Sequence, residues 1–271
     1  MKKALVLSGG GSRGAAQVGA IMALEEKGYK PDIIIGTSIG AIVGASYLLE
    51  GSAAKLAETS LKISEKRLKW FSLKNRRNKK GFIIEKILNH IILKKKGFIK
   101  PFIFYKAIDS YFKNHTFEDL SRKFICISTD LKTGEDVIHK SGNLASALKA
   151  SITITGIFPP YKQAENMLLD GGTTNVVPCD IAKKLGAEHI IAIDIKNNKI
   201  KGKYNTSNDL MDLENEIICK TIDKYKKSLT DIYIEPLKES VETLDFTKTR
   251  KLIKEGYEHV MKIALPKDLL L

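Results

Sequence analysis

The chain has 271 residues, of which 43% are hydrophobic and 28% are charged, and its formal net charge is +14. This composition excludes a disordered or fibrous protein, and the length allows one sizeable α/β core or two small ones. The basic excess favours anionic partners, which are nucleic acid or a membrane surface.

Cysteine usage and hydropathy bear on where the protein works. The three cysteines (Cys126, Cys179 and Cys219) form no Cys-x-x-Cys pair and no cluster with histidine, so they predict buried free thiols in a reducing compartment. The apolar run Ala4–Leu7 is too short for a signal peptide, and no run approaches the ~18 apolar residues of a membrane span. We therefore expect a cytoplasmic protein with at most peripheral membrane contact, and neither a metal nor another cofactor.

Strand-like and helix-like patterns alternate along the chain. Strands are predicted at 3–8, 33–35, 124–129, 136–139, 167–169, 190–195 and 232–234. Helices are predicted at 15–27, 39–49, 143–150, 179–185, 210–229 and 246–263. This alternation predicts a three-layer α/β/α sandwich with a mostly parallel central sheet, formed as one domain over residues 1–271.

A glycine-rich turn follows the first predicted strand, with the sequence Gly9-Gly10-Gly11-Ser12-Arg13-Gly14. Backbone N–H groups at such a helix N-terminus stabilise an anion. The run also fits the dinucleotide fingerprint G-x-G-x-x-G, which requires an acidic residue at the end of the second strand. Here Asp32 precedes that strand and Thr37 and Ser38 end it, so a Rossmann-type nucleotide-binding oxidoreductase is the weaker alternative.

The second predicted strand runs into Gly36-Thr37-Ser38-Ile39-Gly40, the G-x-S-x-G pattern of a nucleophile elbow. Its two glycines are expected because the tight turn leaves no room for side chains beside the serine. A serine that only caps the following helix is the alternative interpretation. A serine nucleophile on this turn and an anion-binding glycine turn beside it together predict acyl transfer through an oxyanion intermediate.

A serine nucleophile needs a base, and the sequence offers two kinds. The order Ser38, Asp170, then His189 or His259 permits an α/β-hydrolase triad. However, His189 directly precedes a predicted strand and His259 lies within a regular helix, so both histidines are expected at the surface or in packing contacts.

Asp170 is the other candidate base. It follows the predicted strand Met167–Leu169 and precedes Gly171-Gly172, which leave space for a backbone or a substrate to approach. Open α/β sheets carry their chemistry at the carboxyl ends of strands. A carboxylate that acts as a base near neutral pH needs its pKa raised by partial burial.

Most of the excess positive charge lies in one segment. Residues 62–100 contain fourteen lysines and arginines against two glutamates, with apolar groups between them. We predict a basic, helical insertion or cap at 62–118. Residues 62–106 would meet an anionic membrane surface and insert Trp70, Phe71 and Phe82. The alternative is a cap whose charges are only solvated, and nucleic acid is disfavoured because no recognised binding module surrounds the charge.

Together, these motifs resemble those of the patatin-like phospholipases, in particular the small single-domain bacterial type. The glycine loop, the elbow around Ser38 and the Asp170-Gly171-Gly172 turn are similar to three signature blocks of that family, in the same order. The run from Ala150 to Pro160 is similar to a fourth block, with Thr155 where the family often has proline. The similarity is clear over residues 1–60 and 120–195.

The resemblance implies a patatin-like fold and a Ser–Asp dyad that works without histidine on acyl esters of lipids, as in a phospholipase A or a lysophospholipase. Ser38 would be the nucleophile and Asp170 its base. The oxyanion hole would comprise Gly9, Gly10, Gly11, Arg13 and Gly14, with the N–H groups of the first three as donors and Arg13 adding positive charge. The substrate would be a lipid acyl ester, and no metal would take part. A lipid-binding protein that has lost turnover is a further alternative.

Overall fold

The computed structural model describes residues 1–77, 102–196, 206–239, 241 and 245–270. Its strands are β1 (Lys3–Leu7), β2 (Ile33–Thr37), β3 (Lys123–Asp130), β4 (Asp136–His139), β5 (Tyr161–Gln163), β6 (Asn166–Asp170), β7 (His189–Ile193) and β8 (Ile232–Ile234). Its α-helices are α1 (Gly14–Glu26), α2 (Ile39–Glu50), α3 (Ala53–Arg77), α4 (Phe102–Phe112), α5 (Leu144–Ser151), α6 (Cys179–Lys184), α7 (Ser207–Ser228), α8 (Thr249–Met261) and α9 (Lys267–Leu270).

The eight strands form one sheet in the order β5-β6-β3-β2-β1-β7-β8, and β4 also pairs with β3. Strands β3, β2, β1, β7 and β8 are parallel to their neighbours in this order. β4 and β6 run antiparallel to β3, and β5 runs antiparallel to β6. The sheet is therefore mixed, with a parallel centre, as the alternation of strands and helices predicted.

Two apolar layers cover the sheet because side chains alternate between the faces of each strand. On β1, Leu5 and Leu7 point into the larger layer, which also receives residues of α1, α2, α5 and α8. Ala4 and Val6 point into the smaller layer, which α6 completes. The three-layer α/β/α arrangement predicted from the sequence is confirmed.

The predicted basic cap at 62–118 lies partly outside the described residues, which lack 78–101. Its described ends are helical, in α3 and α4, and α3 begins at Ala53, before the basic run. α4 buries Ile108 and Phe112 in the larger apolar layer. No helix within the described ranges is both long enough and apolar enough to span a bilayer.

Two of the three cysteines are buried as predicted, and the third is not. Cys126 and Cys179 lie in the apolar layers, whereas Cys219 is exposed on α7. The prediction failed for Cys219 because α7 turns several apolar side chains toward solvent, among them Ile217, Ile218 and Ile222. The apolar pattern of α7 therefore does not indicate which of its faces is buried.

Candidate active site

Ser38 lies at the tight turn between β2 and α2. Its φ of 55° and ψ of −122° place it in backbone space that residues other than glycine rarely adopt. The flanking glycines make the turn sterically possible. A Cβ on Gly36 would lie 2.5 Å from the carbonyl oxygen of Gly40, and one on Gly40 would lie 2.4 Å from that of Leu7. The turn therefore has the geometry of a nucleophile elbow, with α2 beginning directly after the serine.

Asp170 meets Ser38 directly. The Ser38 hydroxyl donates a hydrogen bond to Oδ2 of Asp170 over 2.6 Å, and both residues are only 7% exposed. The other carboxylate oxygen, Oδ1, accepts the N–H of Gly172 at 2.7 Å. Burial raises the pKa of Asp170 to about 6, although the hydrogen bonds from Ser38 and Gly172 act to lower it. A carboxylate with this pKa is ionised at neutral pH and is a stronger base than an exposed aspartate.

Asp170 reaches Ser38 by a route that differs from the predicted one. The sequence placed Asp170 at the carboxyl edge of a parallel sheet, but β6 is antiparallel to β3, so it runs toward the opposite edge. β6 begins beyond the end of β3, and Asp170 therefore pairs with Ser128, near the carboxyl end of β3. Thr37 pairs with Ile127 at the same level, which brings Ser38 beside Asp170.

The end of α5 holds both residues of the pair. Oγ of Ser151 accepts the backbone N–H of Ser38 at 2.8 Å, and the carbonyl of Thr153 accepts the backbone N–H of Asp170 at 2.8 Å. Ser151 and Thr153 lie in the run from Ala150 to Pro160, within which the sequence pattern assigned no role to a single residue. The resemblance of that run to a family block was the only signal that could have indicated them.

The turn after Asp170 contains two glycines, and the first of them, Gly171, allows close packing on the sheet. A Cβ on Gly171 would lie 2.4 Å from the carbonyl oxygen of Ile127, so only glycine fits there without a shift of backbone. Gly172 has more room, since its nearest neighbour would be the carboxylate of Asp170 at 3.0 Å. The two glycines thus let the chain turn tightly around the carboxylate.

The glycine loop lies beside the elbow. A Cβ on Gly9 would lie 3.4 Å from Cβ of Ser38. The N–H of Gly9 is already donated to the carbonyl of Val176 at 3.1 Å, which differs from the predicted use of all three glycine amides. The N–H groups of Gly10 and Gly11 have no hydrogen-bond acceptor within the described part of the chain. They lie at the start of the helical turn that leads into α1, where an anion is favoured.

Arg13 and Gly14 shape this loop. Nε of Arg13 donates to the carbonyl of Gly10 at 2.8 Å and thereby fixes the loop conformation. Burial lowers the pKa of Arg13, while the charge of Asp194 raises it. A Cβ on Gly14 would lie 2.4 Å from the side chain of Ile39, so this glycine lets α1 pack against the start of α2.

The histidines of the alternative triad lie away from Ser38. His189 begins β7 and pairs with Lys3 at the amino edge of the sheet, and its Nδ1 lies 3.4 Å from Oδ1 of Asp231. Five residues of strand, at ~3.3 Å each, separate it from the edge where Ser38 lies. His259 lies in the last turn of α8. Among the described side chains, Asp170 is the hydrogen-bond partner of the Ser38 hydroxyl.

Metal ligands are not grouped in this region. Across residues 1–77, 102–196, 206–239 and 245–270, no three histidine, cysteine, aspartate or glutamate side chains cluster as a metal site requires.

A strained serine that bonds a buried carboxylate beside unpaired loop amides is characteristic of serine hydrolases. The family model of patatin-like phospholipases matches residues 5–183. The chain belongs to the patatin-like phospholipase family, whose members are lipid acyl hydrolases.

Individual relatives agree with this assignment. Patatin-like phospholipase domain-containing protein ZK370.4 of Caenorhabditis elegans is 30% identical over 285 residues, which cover 94% of this chain and 20% of the relative. Lysophospholipase NTE1 of Meyerozyma guilliermondii is 28% identical over 279 residues, covering 93% of this chain and 18% of the relative. The chain thus spans about a fifth of the length of these curated relatives.

Among solved structures, VipD from Legionella pneumophila is similar, with a TM-score of 0.49 and 14% identity. The similarity covers 99% of this chain and 66% of the VipD chain.

Proposed function

We propose that this protein hydrolyses acyl esters of membrane lipids, as a phospholipase A or a lysophospholipase, through a dyad of Ser38 and Asp170. The observation that carries the proposal is the 2.6 Å hydrogen bond from the Ser38 hydroxyl to the buried carboxylate of Asp170. Membership of the patatin-like phospholipase family supports the reaction class. It also favours this reading over a nucleotide-binding oxidoreductase.

The reaction proceeds in two halves. Oγ of Ser38 attacks the ester carbonyl carbon while its proton passes to Oδ2 of Asp170, and the carbonyl oxygen becomes an oxyanion. The tetrahedral intermediate expels the alcohol, which takes the proton from Asp170, and leaves an acyl-serine. Water then attacks this ester, gives its proton to Asp170, and releases the fatty acid as the proton returns to Ser38.

The oxyanion hole is assigned to the N–H groups of Gly10 and Gly11. This narrows the sequence prediction, because the N–H of Gly9 bonds Val176 and the guanidinium of Arg13 bonds the loop itself. In this proposal Arg13 holds the donors in place and Gly14 sets the spacing to α2. Loss of one such donor costs about 3–4 kcal/mol of transition-state stabilisation in other hydrolases.

The substrate is assigned to glycerolipids with an accessible acyl ester. One relative is named a lysophospholipase, and this favours glycerophospholipids with a single acyl chain among the substrates.

Turnover of a short-chain nitrophenyl ester tests the dyad. Ser38→Ala and Asp170→Asn should each abolish turnover while circular dichroism shows a folded protein. His189→Ala and His259→Ala are the matched controls, and they should keep wild-type turnover. An active Asp170→Asn protein, combined with an inactive histidine variant, would replace the dyad by a Ser-Asp-His triad.

A peripheral membrane contact completes the proposal. The basic segment 62–106, whose side chains lie mostly outside the described residues, would bind anionic headgroups. α7 would add apolar side chains to this membrane contact, because it exposes Ile217, Ile218, Ile222 and Tyr225. The ion pair between Asp223 of α7 and Lys196 holds this helix next to the carboxyl end of β7. We expect sedimentation with vesicles that contain anionic lipid, and much less with neutral vesicles. Equal binding to both vesicle types would remove the electrostatic part of the proposal.

A further inference from the structure

The loop after Asp170 joins the three parts of the site. The carbonyl of Asn175 accepts the hydroxyl of Thr37 at 2.8 Å, and Thr37 directly precedes the nucleophile. The carbonyl of Val176 accepts the N–H of Gly9 at 3.1 Å. The loop begins at the dyad carboxylate itself. Its conformation therefore determines how Asp170, the elbow and the glycine loop lie relative to one another.

Asn175 fixes this loop with every polar group that it has. Its backbone N–H donates to the carbonyl of Gly171 at 2.8 Å. Its side-chain Nδ2 donates to Oδ2 of Asp136 at 2.8 Å and to Oδ1 of Asp180 at 3.0 Å. Its Oδ1 accepts Nζ of Lys226 at 2.9 Å. The residue is only 3% exposed, so these protein partners, and not solvent, satisfy its polar groups.

The side-chain partners come from separate elements of the fold. Asp136 begins β4, Asp180 lies in the first turn of α6, and Lys226 lies in the last turn of α7. Lys226 also forms an ion pair with Asp180 and is 7% exposed. A buried amide held from three directions has one low-energy orientation, because any rotation would leave buried donors or charges unpaired.

We propose that Asn175 is a positioning residue for the dyad, an inference that rests on the function proposed above. It does not contact the reacting atoms. Its side chain fixes the loop whose backbone carbonyl accepts the Thr37 hydroxyl, and this maintains the 2.6 Å contact between Ser38 and Asp170. A displacement of ~1 Å in a reacting group costs on the order of 100-fold in rate.

Active-site titration separates positioning from a merely structural role. A fluorophosphonate counts the functional serines, and turnover of a nitrophenyl ester is then expressed per titrated site. Asn175→Ala should lower kcat per titrated site at least tenfold, with KM within twofold of wild type. A structural role would lower the number of titratable sites and leave kcat per site unchanged, and that result would overturn the inference.

Tyr29→Phe is the matched control. It removes one buried hydrogen bond, from the Tyr29 hydroxyl to the carbonyl of Ala4 at 3.0 Å, on the part of β1 away from the glycine loop. This variant should lose thermal stability and keep kcat per titrated site. If it loses as much kcat per site as Asn175→Ala, the effect is one of general destabilisation and the inference fails.

A donor–acceptor exchange keeps the test valid if Asn175→Ala does not fold. Asn175→Asp alone places a carboxylate against Asp136 and Asp180 and should lower kcat per titrated site at least tenfold. Adding Asp136→Asn restores a donor opposite the new carboxylate and should recover at least threefold. Equal kcat in the single and double variants would overturn the inference. Wild-type protein without a titratable Ser38 would instead overturn the proposed function.

Discussion

Asp170→Asn should stabilise the fold at neutral pH while it abolishes turnover. The substitution keeps the shape of the side chain, and the amide oxygen can still accept the N–H of Gly172. It removes a carboxylate whose pKa burial raises from 3.8 to about 6. That difference of about 2 units corresponds to about 3 kcal/mol, at ~1.4 kcal/mol per unit, and the residue is too buried for solvent to screen it strongly.

The sign follows from proton binding. Well below pH ~4 the carboxyl of Asp170 is neutral in the folded and the unfolded protein, so ionisation does not distinguish the variant from wild type. Between pH ~4 and ~6 only the unfolded state ionises, which stabilises it and destabilises the wild-type fold as pH rises. The free energy of unfolding of Asp170→Asn, minus that of wild type, should therefore increase by about 2–3 kcal/mol from pH 4 to pH 8.

Urea denaturation followed by circular dichroism at several pH values measures this difference. Asp180→Asn is the control of opposite sign. Burial acts to raise the pKa of Asp180, but hydrogen bonds from Lys226 and Asn175 outweigh burial and leave that pKa lowered. Asp180→Asn should therefore lose stability throughout the range above pH ~4, and this loss should shrink only as pH falls below ~4. A difference for Asp170→Asn that is flat with pH, or that falls as pH rises, would mean that burial does not raise the pKa of Asp170 in the folded protein.

Two further predictions concern the base and the elbow. Wild-type kcat/KM on a nitrophenyl ester should fall tenfold per unit below pH ~6, because protonated Asp170 cannot accept the proton of Ser38. Gly40→Ala should cost about 3 kcal/mol, because its Cβ would lie 2.4 Å from the carbonyl oxygen of Leu7. Gly134→Ala, with a φ of +71° and open space around it, should cost only about 1 kcal/mol.

Each of these two predictions has a contrary result. An acid limb near pH 4, or one that His189→Ala or His259→Ala shifts, would mean that Asp170 is not the base that limits turnover. Equal losses for Gly40→Ala and Gly134→Ala in urea denaturation would mean that close packing of the elbow does not explain the glycine at position 40.

The local parts of the site could be predicted from sequence because short-range geometry determines them. The G-x-S-x-G pattern fixes a strand, a tight turn and a helix within a few residues. The structure places Ser38 in that turn, at a φ of 55°. The apolar runs of β1 and β2 are short and bounded by turn residues, which indicates strands buried on both faces, and their alternation with helices predicted the parallel centre of the sheet.

Long-range pairing could not be predicted in the same way. The three-residue strand β5 (Tyr161–Gln163) and the antiparallel direction of β6 depend on partners that local patterns do not show. The same is true of helix packing. A Cβ on Gly19 would lie 1.8 Å from the carbonyl oxygen of Ile253, so α1 and α8 contact through their backbones, yet the glycines within these helices do not show locally which helix each one meets.

The polar network behind the dyad was also beyond the sequence. Asn175 occupies a loop where asparagine is common for local reasons, and its partners Asp136, Asp180 and Lys226 lie on three different elements. The bond from Gly9 to Val176 likewise joins segments that are far apart in the chain. Only the folded arrangement shows which amides of the glycine loop remain for an oxyanion.

Covalent labelling with a fluorophosphonate, mapped by mass spectrometry, tests the central claim most directly. We expect one modified residue, Ser38, and a labelling rate that falls sharply in Asp170→Asn although the protein stays folded. Modification at another serine, or undiminished labelling of Ser38 in Asp170→Asn, would contradict it.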